Sequence, residues 1–262
     1  MTDIQGTNPS DMRALRLQKL QRAVEKGGAL HLKEAAELLN VSEMTVRRDL
    51  AASNGVLSCL GGYVAPQPTG KRYTLEREMD QHARDKRLAS RSAIASVKAG
   101  DTIFIDCGTT MQSLADCLPE DLPLSVICYS MNIATIVARR PATQLMLIGG
   151  LYHPSSQSFS SEEGIAYLRK LGINKAFISA GGVHPVRGAS CSNFHEVAIK
   201  TAVIATAMEN ILVVDSSKLG SLKPAFFAGL DGFARVVVGG SASPEQRKPF
   251  KHLSFDYVTK AT

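Results

Sequence analysis

Apolar positions change their period along this chain. Between residues 11 and 60 they recur at helical spacing. Leu17, Leu20 and Val24 fall at i, i+3 and i+7, and Leu32, Ala35, Ala36 and Leu39 at i, i+3, i+4 and i+7, so each set makes one buried stripe. Gly27-Gly28 closes the first helix, and Asn40 and Val41 make a tight turn after the second. Ser42 is a good N-cap for a third helix, on which Val46 and Leu50 face inward. VLSCLGGYVAP then reads as two short strands around Gly61-Gly62, where a two-residue hairpin loop needs positive φ.

The stretch GGYVAPQPTG marks a boundary, and the charged run from Tyr73 to Val97 reads as a connecting helix closing near Gly100. From Asp101 the period shortens. The β-rich runs TIFID, LSVICY, LMLIGG, KAFISAGG, ILVVD and ARVVVGG alternate with helical ones, which predicts an α/β domain on a mainly parallel sheet. The expected division is a disordered tail over 1–12, a winged helix-turn-helix over 13–66, a linker and connecting helix over 67–90, and an α/β domain over 91–262.

Composition narrows the class. At 262 residues with 44% apolar and 21% charged side chains the chain is an ordinary globular protein. It has no run of eighteen apolar residues, and MTDIQGTNPSDMRALRLQ lacks a signal-peptide core; no membrane span and a cytoplasmic location are expected. The five cysteines include no C-x-x-C pair and read as reduced thiols. The net charge of +6 is unevenly placed: residues 1–99 hold 16 basic against 11 acidic side chains, and residues 100–262 hold 14 against 13. The excess in the first third suits a polyanion.

The third helix carries chemistry that DNA needs. Met44, Thr45 and Arg48 lie opposite the inward face, with Arg47 at its flank and Ser42 and Glu43 at its start. Arginine bonds guanine O6 and N7 in pairs, Ser and Thr bond phosphates or base edges, and an exposed Met meets a thymine methyl. The same spacing also suits a small helical core with a solvated Arg pair, and the hairpin after it favours the winged helix.

In the second domain the polar residues cluster topologically. Asp106-Cys-Gly-Thr-Thr, Tyr129-Ser-Met-Asn, Gly149-Gly150, Gly181-Gly182 and Asp215-Ser-Ser-Lys218 all follow predicted strands, at the strand ends where open α/β sheets bind ligands. Gly108, Thr109 and Thr110 at a helix start suit a phosphate, and Lys218 adds a point charge. A Thr at a helix start is also a common cap; its recurrence beside D-S-S-K favours the ligand. His195-Glu196 lacks the second His of a zinc-protease motif, and there is neither a Walker A sequence nor G-x-G-x-x-G. No metal and no cofactor are expected, and Cys107 reads as a buried thiol.

LHLKEAAELLNVSEMTVRRDL resembles the signature of DeoR-family bacterial transcriptional regulators, V-S-x-x-T-[IV]-R-R-D-L, with Val41, Ser42, Thr45, Val46, Arg47, Arg48, Asp49 and Leu50 all matching. After Leu50 the chain departs from the family's acidic stretch and basic R-x-H-G-G wing, and AASNGVLSCLGGY stands there. The resemblance implies double-stranded operator DNA as a partner of Ser42, Glu43, Met44, Thr45, Arg47 and Arg48. It also implies a sensor domain with the sugar-phosphate isomerase and CoA-transferase fold. On that resemblance Asp106, Gly108, Thr109, Thr110, Ser130, Asn132, Glu196, Asp215, Ser217 and Lys218 would bind the effector. The wing and the FIDCGTT and CYSMN runs resemble the branch of the family that governs deoxyribose use. The effector implied is deoxyribose 5-phosphate, acting on a homo-oligomeric repressor of deoxyribonucleoside catabolic genes. The alternative is a sugar-phosphate isomerase-like enzyme with a helical appendage, since related isomerases use carboxylates and a lysine for proton transfer.

Overall fold

The structure, a computed structural model, describes residues 9–27, 30–52, 57–60, 63–66, 75, 79 and 81–260. Residues 1–8 of the expected tail and the Gly61-Gly62 hairpin tip lie outside the described residues, whereas the tail's last residues, from Pro9, are already helical. The chain divides into two compact units, Met1–Arg72 and Tyr73–Thr262.

The first unit has three helices, α1 (Pro9–Gly27), α2 (Leu32–Leu39) and α3 (Glu43–Ala51), and three strands, β1 (Leu30–His31), β2 (Leu57–Leu60) and β3 (Tyr63–Pro66). The strands form an antiparallel sheet in the order β1-β3-β2. Leu20, Val24, Leu32, Ala35, Ala36, Val46, Leu50, Leu57 and Val64 make one apolar core, so the helical stripes and the β2–β3 hairpin share a common interior. Asn40 ends α2 with φ 53°, in the left-handed region that Asn tolerates, and its N–H bonds the carbonyls of Ala36 and Glu37. That turn swings the chain into α3. The expected winged helix-turn-helix is present.

The second unit is built on seven parallel strands: β4 (Thr102–Ile105), β5 (Leu124–Cys128), β6 (Thr143–Leu147), β9 (Lys175–Ile178), β12 (Glu209–Asp215), β14 (Arg235–Gly239) and β15 (Phe255–Val258). Their order is β15-β14-β12-β9-β4-β5-β6. Six correspond to the β-rich runs of the sequence. Antiparallel additions accompany them: a hairpin of β7 (Leu151–His153) and β8 (Ser158–Ser160), and a sheet of β10 (Gly182–His184), β11 (Gly188–Cys191) and β13 (Ala225–Ala228). From β4 the chain first builds outward through β5 and β6, then returns to add β9 on β4's other side. The boundary between β4 and β9 is therefore the topological switch point, where a crevice opens beyond the carboxyl ends.

The helices of this unit are α4 (Ala83–Ile94), α5 (Thr109–Cys117), α6 (Met131–Val137), α7 (Glu162–Leu168), α8 (Val197–Thr206) and α9 (Pro244–Arg247). The stretch 67–90, expected to link two domains, divides differently: α4 belongs to the second unit. Its residues Ala89 and Ala93 enter the core with Ile103, Ile105, Met111, Val213 and Val237. Small side chains permit this approach, and so does Gly239 on β14, where a Cβ would overlap the Asp85 carbonyl. Charge along 83–91 disguised a helix with one wholly buried face.

Candidate functional site

On the first unit, α3 presents the expected side chains to solvent. Val46, Asp49 and Leu50 are buried, while Ser42, Glu43, Arg47 and Arg48 are exposed, Thr45 is half-buried and Met44 is 73% exposed. Ser42 caps the helix: its Oγ accepts from Thr45 N–H at 3.1 Å and lies 2.9 Å from Thr45 Oγ1. Arg47 leans toward the wing, with Nη1 3.8 Å from Cys59 Sγ on β2. Asp49, a signature match with no role assigned to it, is 2% exposed and accepts from Arg16 Nε of α1 at 2.6 Å. The ion pair joins α3 to α1. An exposed cationic face on a helix with such a rigid back is the geometry that enters a major groove.

On the second unit, the strand-end residues gather at the switch point. Asp106 follows β4, Tyr129 and Ser130 follow its neighbour β5, Ser179 follows its other neighbour β9, and beyond that β12 ends in Asp215. Gly108, with φ 102°, turns the chain from β4 into α5; an L side chain is strained there, so glycine is required. Gly108 brings no capping side chain, and the first N–H groups of α5, with Thr109 half-buried and Thr110 buried beside them, can receive an anion.

Asp106 itself lies beneath this floor, with no exposed surface. Tyr129 Oη donates to its Oδ1 at 2.7 Å and Ser179 N–H to its Oδ2 at 2.8 Å. Lys200 of α8 makes a short ion pair with the same Oδ2, reaches the Ser179 carbonyl at 3.2 Å and stands 3.6 Å from Glu196 Oε2. Glu196 in turn accepts from Asn193 Nδ2 at 2.7 Å. Burial opposes the Lys200 charge, but Asp106 and its other anionic neighbours outweigh it and hold the ammonium well above the ordinary lysine range. Burial pushes the Glu196 carboxyl up, against the pull of Lys200. Burial likewise raises the thiol of Cys107, which lies 3.0 Å from Tyr129 Oη; it is an inert buried group.

Around this network, polar atoms are buried without hydrogen-bond partners. They are Ser130 Oγ, both amide atoms of Asn132, Gln112 Oε1 and Asp215 Oδ2. Asp215 Oδ1 caps the short turn after β12 by accepting from Ser217 N–H at 3.0 Å and from its hydroxyl, and Lys218 Nζ is 4.0 Å from Oδ2. Buried polar atoms left unpaired are costly, and three of these four residues belong to the set expected at the effector site.

Sequence reasoning missed Lys200, Ser179 and the pairing of two histidines, and it placed Tyr129 at a strand end without seeing its bond to Asp106. Lys200 interrupts the apolar run VAIKTAVIA; a lone lysine inside such a stripe is the one signal available for it. His153 and His195 stack with ring centroids 3.6 Å apart, a relation across 42 positions that no local pattern carries.

Residues 16–69 match the family model described as a DeoR-like helix-turn-helix domain, and residues 81–240 the one described as a DeoR C terminal sensor domain. The chain is 35% identical to the deoxyribose operon repressor of Escherichia coli K12, covering 85% of this chain and 88% of that one. It is 30% identical to the HTH-type transcriptional regulator IolR of Bacillus subtilis (86% and 91% covered) and 31% to a lactose phosphotransferase system repressor of Staphylococcus epidermidis (78% and 83% covered). Among solved structures, a probable sor operon regulator from Shigella flexneri aligns with TM-score 0.43 at 10% identity, over 68% of this chain and 92% of that one. Ribose 5-phosphate isomerase A of Methanocaldococcus jannaschii aligns with TM-score 0.40 at 18% identity, over 53% and 55%. The relatives of this chain are transcription regulators, and the enzyme alternative gives way to that reading. With a DeoR-like helix-turn-helix domain in one unit and a DeoR C terminal sensor domain in the other, the chain belongs to the DeoR family of transcriptional repressors.

Proposed function

We propose that this protein represses genes of deoxyribose and deoxyribonucleoside catabolism as a homo-oligomer, and that deoxyribose 5-phosphate releases it from its operator. Similarity to the deoxyribose operon repressor supports the target genes and the sugar. The observation that carries a sugar-phosphate ligand is the set of buried atoms without hydrogen bonds at the strand ends, Ser130 Oγ, the Asn132 amide and Asp215 Oδ2, the last facing Lys218 Nζ at 4.0 Å. A polyol satisfies such donors and acceptors; an apolar ligand leaves them unpaired. In this reading the phosphate sits on Gly108, Thr109 and Thr110 with Lys218 near its charge. The sugar meets Ser130, Asn132, Asp215 and Ser217. Asp106 and Glu196 act from below, through Lys200, by holding the ends of β4 and β9 in place. Two-fold copies of α3 read two half-sites about one helical turn apart.

The test is a DNA-binding titration on the region upstream of the chain's own gene neighbourhood, across deoxyribose 5-phosphate concentration. Release is expected. Retention of DNA by a protein that binds no sugar phosphate overturns the reading, and release by a different sugar phosphate replaces only the ligand.

A further inference from the structure

The β7–β8 hairpin folds back over the end of β5. Met131 N–H donates to the Gln157 carbonyl at 2.7 Å and Phe159 N–H to the Tyr129 carbonyl at 2.8 Å, and a bridge pairs Ser158 with Ser130. The hairpin therefore covers the residue whose Oγ is buried and unpaired. It brings His153 face to face with His195, which enters from the chain leading into α8; the rings are 3.6 Å apart and within 7° of parallel.

Each ring is held by one nitrogen. His153 Nε2 lies 2.7 Å from Ser160 Oγ, and His195 Nε2 lies 3.0 Å from Ser156 Oγ and 3.5 Å from Ser158 Oγ. Ser156 and Ser158 have no exposed surface, so the rings' orientation is set by a buried hydroxyl array. Among the described residues no hydrogen bond engages either Nδ1. His195 directly precedes Glu196, and Lys200 lies near enough to oppose a charge on its ring, which sets the pair beside the Asp106–Lys200 network.

The ring pair has no structural need for two histidines: two apolar rings stack as well, without polar edges to satisfy. It is also unsuited to an anion. Burial, and then the neighbouring imidazole, holds His195 far below its usual range, at about 4, and burial lowers His153 too; both rings are neutral at pH 7. A serine hydroxyl can donate to Nε2 or accept from it, so each Nδ1 offers an acceptor or a donor according to the tautomer. Such edges recognise hydroxyl groups.

Resting on the effector reading above, we propose that His153 and His195, oriented by Ser156, Ser158 and Ser160, form the hydroxyl-reading wall of the effector site and decide which phosphorylated sugar the sensor accepts. The phosphate-binding floor supplies affinity common to all sugar phosphates. The imidazole wall supplies the difference between them, because a sugar that places no hydroxyl opposite Nδ1 leaves that polar edge unpaired.

The experiment measures binding of deoxyribose 5-phosphate, ribose 5-phosphate and inorganic phosphate to the full chain by calorimetry, for wild type, His153→Asn and Ser158→Ala. Losing one neutral hydrogen bond corresponds to about fivefold in affinity. The expected result is a fall of at least that size in the preference for the favoured sugar phosphate over inorganic phosphate, and a changed ratio between the two sugars. Unchanged ratios in both variants, with wild-type melting behaviour, overturn the wall while leaving the effector reading standing. Wild type that binds no sugar phosphate overturns both. His153 is partly exposed, and Ser158→Ala keeps the fold's hairpin backbone, so one variant remains readable if the other is unstable.

Discussion

Lys200 and Asp106 form a salt bridge with 1% and 0% of their side chains exposed, joining α8 to the end of β4. The Lys200 ammonium also faces the Phe227 ring at 5.0 Å from its centroid. Three elements thus meet on one cation at the switch point. Removing one partner of a buried pair leaves the other charge uncompensated, at a cost of about 3–5 kcal/mol. Lys200→Met is expected to lower the stability of the sensor by that amount in urea titration, and Asp106→Asn added to it is expected to recover part of the loss. Full stability in the single variant refutes the clamp.

Exposed arginines on α3 allow DNA binding to be separated from folding. Arg48 is solvent-exposed, so Arg48→Ala is expected to leave the melting temperature unchanged. Its cost should appear only in specific DNA binding, on the order of 1–3 kcal/mol for a paired base contact. Arg47→Ala acts the same way, with a further effect on the wing through Cys59.

Asp49→Ala is expected to do the reverse. It strands Arg16 and loosens α3 from α1, so stability and DNA affinity fall together, the former by about 1–3 kcal/mol. Parallel melting curves and operator titrations distinguish the pattern. Identical melting of Asp49→Ala and wild type contradicts the role given to the Arg16–Asp49 pair.

These elements differ in how far the sequence discloses them. The α2–α3 turn is legible because its signals are local: the stripe of Leu32, Ala35 and Ala36, Asn40 at the left-handed position, and Ser42 at the cap. The strand-end cluster is legible because parallel strands place every C-terminal tip on one edge. The division of labour within the cluster is not. Asp106 and Thr109 share one motif, yet Asp106 is spent on Tyr129, Ser179 and Lys200 beneath the crevice, and those partners lie 23, 73 and 94 positions away. Helix α4 is legible as a helix but not as part of a core: Arg84, Arg87 and Arg91 give it a charged look, while Lys86, Leu88, Ala89, Ser90 and Ala93 are buried.

Acid is expected to weaken the sensor through His195. Its folded pKa, about 4, lies below the ordinary value near 6.5, because burial and then His153 and Lys200 oppose its charge. The unfolded chain therefore binds the proton more readily, and stability falls as pH drops from about 6.5 toward 4. Above that window the contribution is fully present. His195→Gln is expected to show a shallower fall across the same window. Parallel pH profiles of melting temperature for both proteins would exclude His195 as the source.

Induction is expected to depend on residues that DNA binding does not use. An effector shifts a two-state regulator only by its difference in affinity for the two states. Moving the population from mostly DNA-competent to mostly released takes roughly 3–5 kcal/mol. A charge-assisted bond from Lys218 and a hydroxyl bond from Thr109 are each a sizeable share of that. Lys218 lies in the short turn after β12 and Thr109 opens α5, both in the second unit, so neither is on α3. Lys218→Ala and, separately, Thr109→Val are expected to bind operator DNA at wild-type affinity and to need at least about tenfold more deoxyribose 5-phosphate for release. Thr109→Val is the sharper of the two, since it removes a hydroxyl at nearly constant shape and leaves the charge of the site untouched. A DNA titration across effector concentration reads both variants. Release at the wild-type concentration in each would move the phosphate away from the start of α5 and leave the unpaired Ser130 and Asn132 to a different ligand.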